Sequence, residues 1–167
     1  MKKHLIALCL LTIPSVSMAE NESGAFVGIG RAVTVNDDCS QCDTSGTGFE
    51  AGYYFNKIVA LEAKIASTEF DEDSDLETDL KYIGANIGHT FNTSWIRFYG
   101  KVGAVSVKQT DNYWNESDSE SSLALGIGVS FTPFAHQSGV YFKLESMSAE
   151  VFDDTIGYGQ LSVGYQF

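Results

Sequence analysis

Residues 160–167 read Gln-Leu-Ser-Val-Gly-Tyr-Gln-Phe and alternate without a break. Leu161, Val163, Tyr165 and Phe167 share one side, and Gln160, Ser162, Gly164 and Gln166 share the other. Successive side chains of a strand point to opposite faces, so this stretch is a strand with one apolar and one polar face. The same two-residue period recurs through most of the chain, and no segment carries the 3.6-residue period of an amphipathic helix. The pattern predicts eight strands, near 25–35, 47–55, 58–69, 79–91, 95–108, 122–132, 139–151 and 156–167.

Two kinds of connection take turns between these strands. Asn56-Lys57, Asn92-Thr93-Ser94 and the segment 133–139 are short and hold one lysine and no acid. Segments 36–46, 71–79, 110–121 and 152–155 are polar and hold 15 acidic residues and no Lys or Arg. Strands that run up and down would gather the acidic connections at one end and the tight turns at the other. A weak repeat marks the second end. Strands descending toward it close on Gly52-Tyr-Tyr-Phe55, Gly88-His-Thr-Phe91, Gly128-Val-Ser-Phe131 and Gly164-Tyr-Gln-Phe167. The glycine and phenylalanine, three apart, fall on opposite faces. Phe55, Phe91, Phe131 and Phe167 are expected to form an aromatic girdle at a membrane interface.

The chain opens with Lys2 and Lys3, an apolar run from Leu5 to Ile13, and Ser17-Met18-Ala19. That is the plan of a cleavable signal peptide over residues 1–19, too short in its apolar run for a membrane helix of about 20 residues. The mature domain is expected over 20–167, and any membrane crossing in it must use strands. The formal net charge of -12 opposes nucleic-acid binding, because phosphates would be repelled. Cys39 and Cys42 remain after the leader, in an exported and oxidising setting. Asp37, Asp38 and Asp43 beside them oppose thiolate formation, so a small structural disulfide is expected rather than a redox centre.

Alternation alone fits a soluble lipocalin-like barrel as well as a membrane barrel; the two differ in which face turns inward. Three features favour lipid outside. The polar faces carry Gly, Ser, Asn and Gln beside paired charges, as a small polar lumen would. Acidic loops and short turns segregate. The last strand runs to the final residue, where pairing with the first strand would leave no open edge in lipid. The expectation is an all-β fold, an eight-stranded antiparallel up-and-down transmembrane β-barrel behind a signal peptide.

The stretches Gly52–Lys64, Ile96–Ala104, Tyr141–Ser146 and Leu161–Phe167 resemble the OmpA-type, OmpX-like eight-stranded outer-membrane barrels, over essentially the whole mature chain. The resemblance implies a barrel without the periplasmic peptidoglycan-binding domain that many members carry. It implies that Tyr165 and Phe167 form a terminal signal for the barrel assembly machinery. It also implies an interior network of Glu against Lys and Arg, with Glu62, Lys101, Lys143 and Glu145 at matching positions and Asn86 and Ser130 where the family tends to carry charge. Strand parity independently turns Glu62, Lys64, Lys101, Lys143 and Glu145 toward the lumen. A lumen of eight strands is mostly filled by side chains, so a structural plug of paired charges is expected there.

Other candidates are weaker. Asp71, Asp73 and Asp75 begin like a calcium loop, but Leu76 stands where glycine is needed and Tyr82 where the final Glu belongs; weak divalent binding is the most this loop offers. Tyr113-Trp114 suits interfacial packing or a partner contact. His89 and His136 fall at the short-turn end, away from the acids, and no nucleophile is positioned beside a base. No catalytic residue and no cofactor are expected. Arg31 shares parity with Val27, Ile29 and Val33, which places it toward lipid, where a midplane Arg costs about 2–4 kcal/mol. A bulge, or an inversion of that strand's faces, would relieve the cost. The function read from sequence is a monomeric structural and surface-contact protein, set among outer-membrane lipid and lipopolysaccharide. Its acidic loops lie outside for an unidentified protein partner, and both mature termini are periplasmic. A narrow channel through the lumen is the alternative, and a lipid-modifying enzyme a distant third.

Overall fold

A computed structural model describes residues 23–36, 44–69, 76–91, 95–111, 116–132, 139–152 and 154–167. The expected leader 1–19, Cys39 and Cys42, Asp71, Asp73 and Asp75, Tyr113-Trp114 and His136 lie outside the described residues.

The strands are β1 (Gly24–Asn36), β2 (Thr44–Tyr54), β3 (Val59–Glu69), β4 (Leu76–Phe91), β5 (Ile96–Asp111), β6 (Glu116–Phe131), β7 (Gly139–Val151) and β8 (Asp154–Gln166). Each pairs antiparallel with its sequence neighbours, and β1 closes on β8 to complete a barrel in the order β1 to β8. The Phe167 amide donates to Ala25 O at 2.9 Å, so the closing seam reaches the last residue. At the β2–β3 turn, Asn56 Oδ1 accepts from the amides of Ile58 and Val59 at 2.8 and 2.9 Å. That side chain stands in for a backbone acceptor, as Asn does in tight turns.

The outer face is apolar around the barrel. Ile29, Phe49, Leu61, Ile65, Ile83, Phe98, Leu125, Ile127, Leu144 and Leu161 are all exposed on it. Burying so continuous a belt needs lipid. Phe55, Phe91, Phe131 and Phe167 stand on this face at the short-turn end, and the Phe167 ring meets Tyr165 edge-on at 5.1 Å. The glycines of the repeat face inward, each directly across from an aromatic residue: Gly52 from Phe26, Gly88 and Gly128 from Tyr99, Gly164 from Tyr141. A Cβ at Gly52, Gly128 or Gly164 would run into the opposite ring, and one at Gly88 into the β5 backbone at Phe98. At three of the four copies a ring crosses the lumen over the glycine, and at all four a phenylalanine three residues later stands on the outer rim.

Three strands are longer than the alternation predicts. β4, β5 and β6 have 16 residues each, against the ~9–11 that a tilted strand needs to cross lipid. Phe91, Ile96 and Phe131 stand in register at the short-turn end, so the surplus lies at the acidic end. Residues 76–79, 110–111 and 116–121, expected in loops, are strand. In 117–121 the side chains of both faces are exposed, so the period disappears although the ladder does not; Thr78 on β4 still turns inward and is buried. The β6–β7 ladder stops at Ala124↔Ala149, whereas β5–β6 continues to Asp111↔Glu116. Residues 116–123 of β6 thus pair on one side only among the described residues.

Arg31 follows neither expected escape. The β1 registers with β2 and β8 run unbroken through it, so no bulge re-aims it, and its apolar neighbours Val27, Ile29 and Val33 also face out. The side chain instead reaches toward the acidic end, where Nη2 donates to Ser45 Oγ at 2.6 Å. Long cationic side chains escape an apolar layer in this way.

Candidate functional site

The lumen is stacked in layers that follow each inward-facing strand position. Nearest the short turns lie Phe26, Tyr54, Ala60 and Tyr141. A layer of charge comes next. Above it, toward the acidic end, Leu80, Val105, Val107, Met147, Val151 and Ile156 close into an apolar collar with Tyr82 and Tyr158. Thr44 Oγ1 donates to Thr68 Oγ1 at 2.9 Å, and Thr68 to Thr78 O at 3.4 Å, across the top of the collar.

The charged layer is a closed ring of three carboxylates and three ammoniums. Lys143 Nζ lies 3.0 Å from Glu50 Oε1 and 2.9 Å from Glu62 Oε2. Lys101 Nζ lies 2.6 Å from Glu62 Oε1 and 3.1 Å from Glu145 Oε1. Lys64 completes the circuit, touching Glu145 and lying 2.7 Å from Glu50 Oε2, with Glu62 Oε1 at 3.6 Å across the middle. All six side chains are essentially inaccessible to water. Charges taken from water are tolerable only when paired and hydrogen-bonded. Here every charge has at least two partners of opposite sign.

Neutral groups fill the remaining valences. Tyr141 and Ser162 donate to Glu50 Oε1 at 2.7 and 3.1 Å. Tyr99 donates to Glu145 Oε2 at 3.1 Å, and Asn86 Nδ2 to Glu62 Oε2 at 3.4 Å. Gln160 Oε1 accepts from Lys64 at 3.2 Å and from Tyr158 at 2.6 Å. Lys101 stands over the Tyr82 ring at 4.6 Å, and Lys143 over Phe26 at 4.6 Å.

The five charges expected from parity, Glu62, Lys64, Lys101, Lys143 and Glu145, all lie in this ring. Glu50 was missed, though parity would have found it, since it shares a face with Gly52. The β2–β3 loop is three residues, 56–58, closed by Phe55 N donating to Val59 O at 3.0 Å, and that register sets Glu50 directly across from Lys64. Asn86, a position where the family tends to carry charge, serves the ring as a neutral donor. Glu50, Glu62 and Glu145 bring carboxylate oxygens within 4.8 Å of one another, a spacing that also suits a metal ion. The three ammoniums sit among those oxygens and supply the positive charge a cation would bring. The one described histidine, His89, lies on the outer face and packs edge-on against Phe91 at 4.9 Å. The collar leaves a cavity of about 10 Å³, lined by Leu80, Val105, Val107, Met147 and Ile156 among others. A space that small holds one water at most. Ring and collar fill the described lumen with buried side chains.

The family model for the outer membrane protein beta-barrel domain matches residues 5–167. The attachment invasion locus protein of Yersinia pseudotuberculosis is 30% identical over 187 residues, covering 100% of this chain and 98% of that protein. The crystal structure of Ail, the attachment invasion locus protein of Yersinia pestis, superposes with a TM-score of 0.63 at 24% identity, over 89% of this chain and 100% of that one. The same protein solved with the heparin analogue sucrose octasulfate gives a TM-score of 0.60 at 24% identity, again over 89% and 100%. A closed eight-stranded barrel with a lipid-suited belt, matched along nearly its whole length by this family model, belongs to the outer-membrane protein β-barrel domain family.

Proposed function

We propose that this chain is a monomeric surface-contact protein of the outer membrane. Its signal peptide, residues 1–19, directs export, and Tyr165 and Phe167 present the closing strand to the assembly machinery. The acidic end faces outward, and both mature termini are periplasmic. The observation that carries the reading is the sheet of β4, β5 and β6, which runs past the apolar belt and leaves residues 116–123 of β6 paired on one side. An unpaired strand edge is a template for another chain, because its N–H and C=O groups still seek partners. Asp118 and Glu120 lie beside it, accepting from the Ser119 and Phe152 amides at 2.8 and 2.6 Å, and their charge selects partners with basic surface.

The likeness to attachment invasion locus proteins supports a role in attachment. The heparin analogue bound by the Yersinia pestis protein is a different matter. A sulfated polyanion would meet four connections with 15 acids and no Lys or Arg, and would be repelled. The partner class proposed here is protein, with positive charge around the contact strand. The ring and collar serve as a plug that stabilises the scaffold, in preference to a conducting pore.

The test is adhesion of bacteria that lack this protein, carrying either the wild type or a Ser119→Pro/Ser121→Pro variant, to host cells and matrix proteins. The wild type should raise attachment, in a salt-sensitive and heparin-insensitive way. The variant should lose it while keeping a heat-modifiable barrel. Wild-type attachment no better than empty vector, or full attachment by the variant, would reject the reading.

A further inference from the structure

On the outer face of β4 the apolar belt passes straight to charge. Read from the short turns outward, that face runs Ile87, Ala85, Ile83, Lys81, Asp79, Glu77. Lys81 is exposed and forms no ion pair among the described residues. Asp79 stands two residues beyond it, about 6.8 Å along the strand. In the ladder to β3, Lys81 is directly across from Ile65, and Asp79 from Ser67. Ile65 in turn is across from Phe49, and Ser67 from Thr47. The short side chains of Thr47 and Ser67 leave a groove of about 290 Å³ over β2, β3 and β4, bounded by Phe49 and Ile65 toward the belt and by Lys81 and Asp79 at the side.

Charge around the groove is balanced. Arg31, directly across from Thr47, and Lys108, directly across from Asp79, stand with Lys81. Glu69 and Glu77, directly across from each other, stand with Asp79. Glu77 Oε1 accepts from Ser67 Oγ at 3.1 Å, so this carboxylate leans toward the groove. Like charges set opposite in a ladder are unfavourable, and a cationic group beside them relieves the repulsion. A polyanionic headgroup does not fit, because Asp79, Glu77 and Glu69 would repel its phosphates. A headgroup that carries both signs does. We propose that the groove binds one phosphatidylethanolamine molecule. Its acyl chain lies along Phe49 and Ile65, its phosphate meets Lys81 where the belt ends, and its ammonium donates to Asp79 and Glu77 farther out. A lipid whose chains lie in the belt presents its phosphate first and its ammonium beyond, the order in which β4 presents Lys81 and Asp79. The primary ammonium has N–H groups for the carboxylates, which the quaternary nitrogen of a choline headgroup lacks. This groove is separate from the β6 edge, so neither reading depends on the other.

The test is native mass spectrometry of the barrel, refolded in detergent and given equimolar phosphatidylethanolamine, phosphatidylcholine, phosphatidylglycerol and lipid A. One phosphatidylethanolamine should be retained per chain, about tenfold above each of the others, the worth of one hydrogen bond to a charged group. The exchange Asp79→Lys/Lys81→Asp keeps the net charge and reverses the order of the two signs. It should abolish the preference and leave a heat-modifiable barrel, since both side chains lie outside the lumen. Should the exchanged chain not fold, Lys81→Gln takes its place. Equal retention of the four lipids overturns the proposal, as does a preference for any lipid other than phosphatidylethanolamine. So does a phosphatidylethanolamine preference that persists unchanged in the variant.

Discussion

The lipid-embedded part of the barrel and the sheet that rises beyond it are built from the same strands, yet they follow different rules. Inside the belt, each strand separates lipid from a packed lumen, and the residue type switches at every position. Leu61, Ala63 and Ile65 face out while Glu62, Lys64 and Ala66 face in. In the rising part, Glu116 to Ser122 are polar in succession, and only the ladder to β5 makes them a strand. The first region is held by environment and by lumenal contacts, the second by backbone pairing and a few water-exposed side-chain bonds, such as Phe152 N to Glu120 Oε2 at 2.6 Å. Stability should therefore fall steeply from one to the other, with attachment assigned to the weaker part. Contact surfaces are commonly drawn from such low-stability segments.

The largest expected effect is on closure. Deleting Phe167, or replacing it by Asp, should leave no folded barrel in the membrane, because the β1–β8 seam then loses its last residue and the rim its aromatic. An open strand edge in lipid is not tolerated. Heat-modifiable barrel at wild-type levels in the Asp variant would contradict this and would make the seam no more demanding than the rising sheet.

Next is the ring. Glu62 touches Lys101 and Lys143 at 2.6 and 2.9 Å and lies 3.6 Å from Lys64. Glu62→Ala should cost about 3–5 kcal/mol in urea unfolding, as expected when one member of a buried ion pair is removed. Adding Lys143→Met should restore part of the loss. A double-mutant cycle that shows no coupling beyond about 0.5 kcal/mol means the ring does not act as a unit. Conductance of Glu62→Ala in planar bilayers should stay at the wild-type level, because the collar of Leu80, Val107 and Met147 still closes the lumen. Ion-selective steps in that variant would revive the channel.

Smaller again is the glycine repeat. Gly128→Leu must displace the Tyr99 ring, which also hydrogen-bonds Glu145. Overpacking of this kind typically costs about 1–3 kcal/mol. Tyr99→Ala in the same chain should recover part of it by vacating the space. Equal losses with and without the ring would show that the glycine serves some other purpose.

The smallest effect on global stability belongs to the rising sheet. The Ser119 amide donates to Asp118 Oδ1 at 2.8 Å and not to the β5 ladder, so Ser119→Pro alters only the free edge and the unfolding midpoint of the barrel should barely move. Hydrogen exchange should read the contrast directly. Amides of residues 117–122 should exchange much faster than those of 124–130 on the same strand. Uniform protection along β6 would mean that the two regions unfold together.

Period two was enough to read the all-β class, the strand number and the apolar belt, because in lipid a misplaced side chain costs several kcal/mol and the pattern must be kept. The same parity turned five of the six ring residues inward. The sixth, Glu50, has the same parity as the inward Gly52 and was overlooked; what parity could not show is its partner, because the three-residue β2–β3 loop that sets it across from Lys64 was read as two residues. The surplus lengths of β4, β5 and β6 were illegible for the opposite reason. Where both faces are exposed, as over 117–121 of β6, no side chain is forced to alternate, so strand and loop have the same composition. Parity also placed Arg31 on the outer face but could not supply its remedy, since reaching Ser45 depends on where the neighbouring strand sets its hydroxyl. The amino-acid order by itself determined which faces meet lipid and lumen. Only the closed barrel decided which charges meet one another, because ring partners such as Lys64 and Glu145 are 81 residues apart in sequence and become neighbours only once β1 has found β8.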